Sequence, residues 1–112
     1  MAVRKPKQVK VVGQTFQVTF HDTLVSEDDG QKIQGDMSSQ EGRIRVKNSR
    51  PFVEVDTLIH EIFHALEYKV GLEHNEYWVH RIATGFTQVL KDNPTVVRYI
   101  VERLKEEDDE RD

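Results

Sequence analysis

The sequence predicts an α+β domain: a small mixed or antiparallel β-sheet packed on one long helix, followed by a second helix and a C-terminal helix. Three observations predict it. Apolar and polar residues alternate through Phe16, Val18 and Phe20, and again through Ile44 and Val46, the period of a strand with one buried face. From Phe52 to Val70 apolar residues recur mostly three or four apart, the period of a helix with one buried stripe. Gly71 and the pair Asn93-Pro94 then punctuate the second half into three helical segments.

Each element follows in order. Residues 9–12 suit a first strand, with Gly13-Gln14 as a turn, although 9–20 also reads as one bent strand. Residues 21–40 are polar, carry Gly30 and Gly35, and are expected to form a loop with at most one helical turn. In 42–47 Ile44 and Val46 should face inward while Arg43, Arg45 and Lys47 face water, a pattern that also protects a sheet edge. Residues 48–51 break the strand. Ser49 is the expected cap of the long helix, with Arg50 or Pro51 opening it and Asp56 as a later alternative.

The stripe of that helix is Phe52, Val55, Ile59, Ile62, Phe63, Leu66 and Val70, and Gly71 ends it. Asn75 should cap a second helix reaching about Lys91, with Val79, Ile82, Ala83, Phe86, Val89 and Leu90 inward and Gly85 at a close helix contact. A third helix, 95–105, has Val97, Ile100, Val101 and Leu104 as its apolar face. The organisation is therefore a basic, flexible segment over 1–8, a single domain over 9–105, and an acidic tail over 106–112 that need not fold.

Composition narrows the function. The 112 residues carry 16 Lys+Arg against 20 Asp+Glu, a net charge of -4, which argues against binding nucleic acid through dense positive charge. There is no cysteine, so disulfides and thiolate metal sites are excluded. No apolar run has the length of a membrane span and no export signal stands at the start, so a cytoplasmic protein is expected.

The chemistry concentrates in His60-Glu61-Ile62-Phe63-His64. Two histidines four apart on a helix project from one face and can grip one zinc ion together. The glutamate beside the first reaches a water in the open coordination position instead of binding the metal. A catalytic zinc site needs a third protein ligand. Glu76 and His80, one turn apart on the second helix, can reach the first helix if 71–74 reverses tightly, and His74 lies in the connection. Glu76 is favoured, with His80 as the alternative. Whichever of the two does not bind is expected to orient a ligand ring, and Glu67 and Asp56 are weaker candidates for that role, more simply read as solvated acids. Tyr68, Tyr77 and His80 are candidates for stabilising an oxyanion.

The stretch 56–66, Asp56-Thr57-Leu58-Ile59-His60-Glu61-Ile62-Phe63-His64-Ala65-Leu66, resembles the active helix of zincin metallopeptidases. The run 76–86, from Glu76-Tyr77-Trp78 to Thr84-Gly85-Phe86, resembles the second ligand helix of minimal gluzincin-like proteases of phages and prophages, related to the ImmA/IrrE and SprT-like families. The resemblance spans about 19–94. It implies a mixed sheet under the active helix, with 44–46 as the strand bordering the cleft. It also implies His60, His64 and Glu76 as ligands of Zn2+, Glu61 as the catalytic base, and a protein or peptide substrate. Where that family usually carries an acidic or amide residue one turn after the glutamate, this chain has His80. The expected activity is zinc-dependent hydrolysis of a peptide bond, and the alternative is a zinc-stabilised binding or regulatory module.

Overall fold

A computed structural model describes residues 3–110 and orders them as four strands followed by three helices: β1 (Gln8–Val11), β2 (Gln14–His21), β3 (Gly35–Ser38), β4 (Arg43–Lys47), α1 (Pro51–Val70), α2 (Glu76–Asp92) and α3 (Pro94–Glu110). The strands form one mixed sheet in the order β1-β2-β4-β3. β1 and β2 are antiparallel, β2 and β4 parallel, and β3 antiparallel to β4. The expected α+β architecture, a small sheet packed on the long helix with a second and a C-terminal helix, is the one observed, and it is a zincin-like arrangement.

The alternating residues do what their period requires. Phe16, Val18, Ile44 and Val46 are buried with Val11, and α1 covers them with Ala65, flanked by Leu58, Ile62 and Leu66. β1 and β2 are separate strands joined by a two-residue turn at Val12-Gly13, one position before the expected one, and both residues have positive φ. Glycine adopts that conformation freely, whereas β-branched Val12 is strained there.

Residues 21–40 are not a featureless loop. β3 forms within them, and 24–33 fold into a small hairpin closed by a Val25–Lys32 bridge, with Leu24 buried beneath it. β3 takes the sheet edge, so 44–46 is an internal strand and does not border the cleft. Arg45 accordingly does not face water alone. Its guanidinium grips both carboxylate oxygens of Asp36, its register partner on β3, and the pair locks the edge strand to β4. Those hydrogen bonds, aided by neighbouring acidic charge and opposed by burial, raise the pKa of Arg45 above its ordinary value.

α1 begins at Pro51, whose missing N–H costs nothing at the first helical position. Ser49 does not cap it. Its backbone N–H instead donates to Glu54 Oε2 at 3.0 Å, and Asp56 lies well inside the helix. Lys5 pairs with Glu54 at 3.2 Å and rests 4.7 Å over the Phe20 ring, so Lys5, just before β1, is tied to the start of α1. Gly71, at φ 77, closes the helix with the left-handed turn that glycine makes at no steric cost.

α2 packs on α1 through Val79, Ala83 and Thr87. Of the expected inward residues Val79 and Ala83 are fully buried and Leu90 half-buried, whereas Ile82 and Val89 are exposed and Phe86, though partly exposed, meets Phe63 of α1 at 5.9 Å between ring centroids. Thr87 can be buried because its hydroxyl donates to the Ala83 carbonyl at 2.7 Å. Gly85 makes no close helix contact, since a Cβ there would meet nothing within 4 Å. Among the described residues α3 packs only against α2, and it continues beyond the expected end at Lys105 to Glu110, so 106–110 are helical, while 111–112 of the expected tail lie outside the described residues. Among the described residues no helix is long and apolar enough to cross a membrane.

Candidate metal centre

α1 supplies two of the converging side chains and α2 the third. The four-residue spacing sets His60 and His64 on one face, with ring centroids 4.8 Å apart. The reversal at 71–75 brings in α2, whose first residue is Glu76 and whose Asn75 cap accepts from the Trp78 N–H at 3.1 Å. Glu76 Oε1 lies 2.5 Å from His60 Nε2, and Glu76 Oε2 lies 3.1 Å from His64 Nε2. The two Nε2 atoms are themselves 3.1 Å apart. His60, His64 and Glu76 therefore form a group whose ligand-type atoms all fall within 4.8 Å of one another.

The donor set fits a divalent cation such as zinc. His64 Nδ1–H donates to Glu67 Oε1 at 2.6 Å, so the neutral tautomer that this bond selects carries its lone pair on Nε2, facing Glu76 and His60. Lone pairs brought this close repel unless a proton or a cation lies among them. Burial pushes the pKa of His60 below 6.5, against the pull of the Glu76 charge, and so favours the neutral imidazole that metals require.

Glu67 is the residue the sequence reading undervalued. It is 2% exposed and not a solvated acid. Besides His64, it accepts from the Asn75 backbone N–H at 2.9 Å and from Trp78 Nε1–H at 3.0 Å. Burial alone would raise its pKa, but these donors outweigh burial and hold it below the usual carboxylate value. The one signal in the sequence was that positions 60, 64 and 67 share one helical face; the burial of Glu67 and its Asn75 and Trp78 donors come only with the fold. Asp56, grouped with Glu67 as a ring-orienting candidate, has a different partner, the Thr84 hydroxyl on α2 at 3.0 Å.

His74 stacks on His64 with centroids 4.5 Å apart, and His64, Glu67 and His74 make a second tight group. It is the poorer metal site, because both oxygens of Glu67 are already taken by hydrogen-bond donors. His80 lies outside both groups, its ring 6.2 Å from that of His60. Of the oxyanion candidates, His80 lines the pocket beside His60 and Glu61. Tyr68 and Tyr77 are exposed and line neither pocket at the site, and Arg81 covers the Tyr77 ring at 4.5 Å.

Glu61 is buried at 7% exposure, next to the imidazoles and on the wall of both flanking pockets. Burial, reinforced by the charges of Glu76 and Asp36, pushes its pKa up to about 8. One pocket, of about 300 Å³, is lined by Gln34, Val53, Asp56, Thr57 and His80 besides Gly35, His60 and Glu61. The other, of about 260 Å³, lies along the edge strand and is lined by Asp36, Met37, His64, His74 and Glu76 besides the same three residues. The chain matches no protein-family model, no curated protein and no solved structure.

Proposed function

We propose that this chain is a zinc-dependent peptidase in which His60, His64 and Glu76 hold the metal and Glu61 is the catalytic base. The observation that carries the reading is the meeting of two Nε2 atoms and one carboxylate from two helices, with the buried Glu61 one residue along the same helix. Bound zinc would supply Lewis acidity and lower the pKa of its water from 15.7 toward about 7.

The rest is the work of the chain's own residues. Glu61, once ionised, takes the proton of the attacking water and passes it to the leaving amine. A pKa pushed up to about 8 makes Glu61 a good proton carrier near neutrality, and a cation beside it draws that value down toward the working pH. His80 lines the pocket beside Glu61, which supports it as the donor to the oxygen that becomes negative. The free edge of β3 offers an extended peptide a strand to pair with, beside the pocket that Glu61 lines. The resemblance of 56–66 and 76–86 to small gluzincin-like proteases of the ImmA/IrrE and SprT-like kind supports a regulatory protein, in a phage or prophage setting, as the substrate.

The alternative, a binding or regulatory module that keeps zinc for stability, would call for four protein ligands and no open position. The group has three, with His80 outside it, which favours the catalytic reading. The test is Glu61→Gln. The variant should bind zinc as the parent does and lose cleavage of an unfolded protein such as casein by at least 100-fold, the scale of general acid–base catalysis. Equal cleavage by parent and variant would refute the mechanism, and failure of the parent to bind zinc would refute the site.

A further inference from the structure

We propose that the pocket on the Asp56 side of the centre is a specificity pocket for a cationic side chain, arginine or lysine, next to the bond to be cut. The inference rests on the peptidase reading and adds the substrate class. Asp56 and His60 are four apart on α1, so the pocket opens within one helical turn of the proposed metal ligands.

Its walls contain no lysine or arginine. Among the described residues Asp56 has no ion-pair partner, and its one side-chain hydrogen-bond donor is the Thr84 hydroxyl, 3.0 and 3.2 Å from its two oxygens. A hydroxyl has one proton to give, whereas a carboxylate offers about four acceptor sites. Most of the hydrogen-bonding capacity of Asp56 is therefore unspent and open to the pocket, and the bond from α2 fixes its orientation.

The remaining wall suits a long cationic side chain. Val53 and the methyl of Thr57 offer apolar surface for an aliphatic stem, which such side chains bury while keeping their charged end on a polar partner. Gly35 lets β3 close the pocket against α1, because a Cβ there would come within 2.6 Å of Thr57 Cγ2. A volume of about 300 Å³ admits one large side chain and little more. The second acidic group on the wall, Glu61, disfavours an acidic side chain in the same place.

The test has two arms on zinc-loaded protein. Blocked alanine-based hexapeptides carrying Arg, Lys, Gln, Leu or Glu at one position measure kcat/KM. Separately, n-butylguanidinium is titrated into 15N-labelled protein while the amides of Thr57 and Thr84 are followed. Arg and Lys peptides should be cleaved on the order of 10- to 100-fold better than Leu or Glu peptides, the scale of a charge-assisted hydrogen bond. Asp56→Asn, which keeps the bond from Thr84, should level that ratio and abolish the guanidinium shifts. Thr84→Val, which keeps the charge and loses the orienting donor, should lower the ratio in part. Cleavage without preference for basic residues, a preference untouched in D56N, or guanidinium shifts elsewhere would overturn the pocket assignment and leave the peptidase reading standing. Guanidinium shifts at Thr57 and Thr84 that vanish in D56N, in a protein that cleaves neither these peptides nor casein, would uphold the pocket as a cation site and overturn the peptidase reading and with it the pocket's place beside a bond to be cut.

Discussion

Replacing Glu67 with glutamine should abolish tight zinc binding without touching any proposed ligand. Three donors converge on this buried carboxylate: His64 Nδ1–H on Oε1, and the Asn75 and Trp78 N–H groups on Oε2. A glutamine has only one oxygen. If that oxygen stays with Asn75 and Trp78, two bonds survive and the amide NH2 faces His64 Nδ1. The imidazole then relieves the clash by moving its proton to Nε2, the atom that faces Glu76 and His60. A protonated Nε2 cannot bind a metal. Loss of such an orienting partner costs 10- to 100-fold in metal affinity, and the tautomer switch places E67Q at the upper end. Glu67→Ala differs because it orphans all three donors in a site only 2% exposed. At roughly 1–3 kcal/mol for each unsatisfied group, its cost is comparable to the whole stability of a domain this size. The assay pairs chelator competition for zinc with long-range 1H–15N spectra of the imidazoles. E67Q should fold, bind zinc weakly and show the proton of His64 on Nε2. Parental zinc affinity in E67Q, with the proton still on Nδ1, would refute the reasoning.

Two further predictions concern stability. The folded-state pKa of Glu61, about 8, lies above its ordinary 4.5, so the metal-free native state binds more protons than the unfolded chain between those values. Stability from this group is present below about pH 4.5 and is lost as the pH rises toward 8, on the order of 4–5 kcal/mol at the upper end. Metal-free E61Q should therefore gain on the parent in urea melts as pH rises from 5 to 9, and a constant gap across that range would contradict the assignment. Gly35→Ala should cost about 1–3 kcal/mol, because its Cβ would sit 2.6 Å from Thr57 Cγ2 and 2.9 Å from the Arg45 carbonyl oxygen. Gly85→Ala meets nothing and should gain about 0.5–1 kcal/mol, so a urea denaturation series in which the two substitutions behave alike would show that β3 is not pressed on α1.

The sequence alone determined the elements whose period is local. β2 and β4 were legible because Phe16, Val18, Ile44 and Val46 alternate, and α1 because its apolar residues recur at helical spacing between Pro51 and Gly71. The pairing of His60 with His64 follows from the same short-range geometry, and the Asn75 cap marked the start of α2. Tertiary structure decided everything that depends on a partner distant in the chain. β3, with the sequence Gly-Asp-Met-Ser, has no alternation of its own and exists because β4 pairs with it and Arg45 grips Asp36. Glu67 looks like any surface acid until the chain reverses and sets the Asn75 and Trp78 N–H groups on it. The same reversal, and not any local pattern, brings Glu76 rather than His80 into the group with His60 and His64. Local periods are written in neighbouring residues, whereas burying a carboxylate depends on which donors the fold delivers to it, and those lie on another helix.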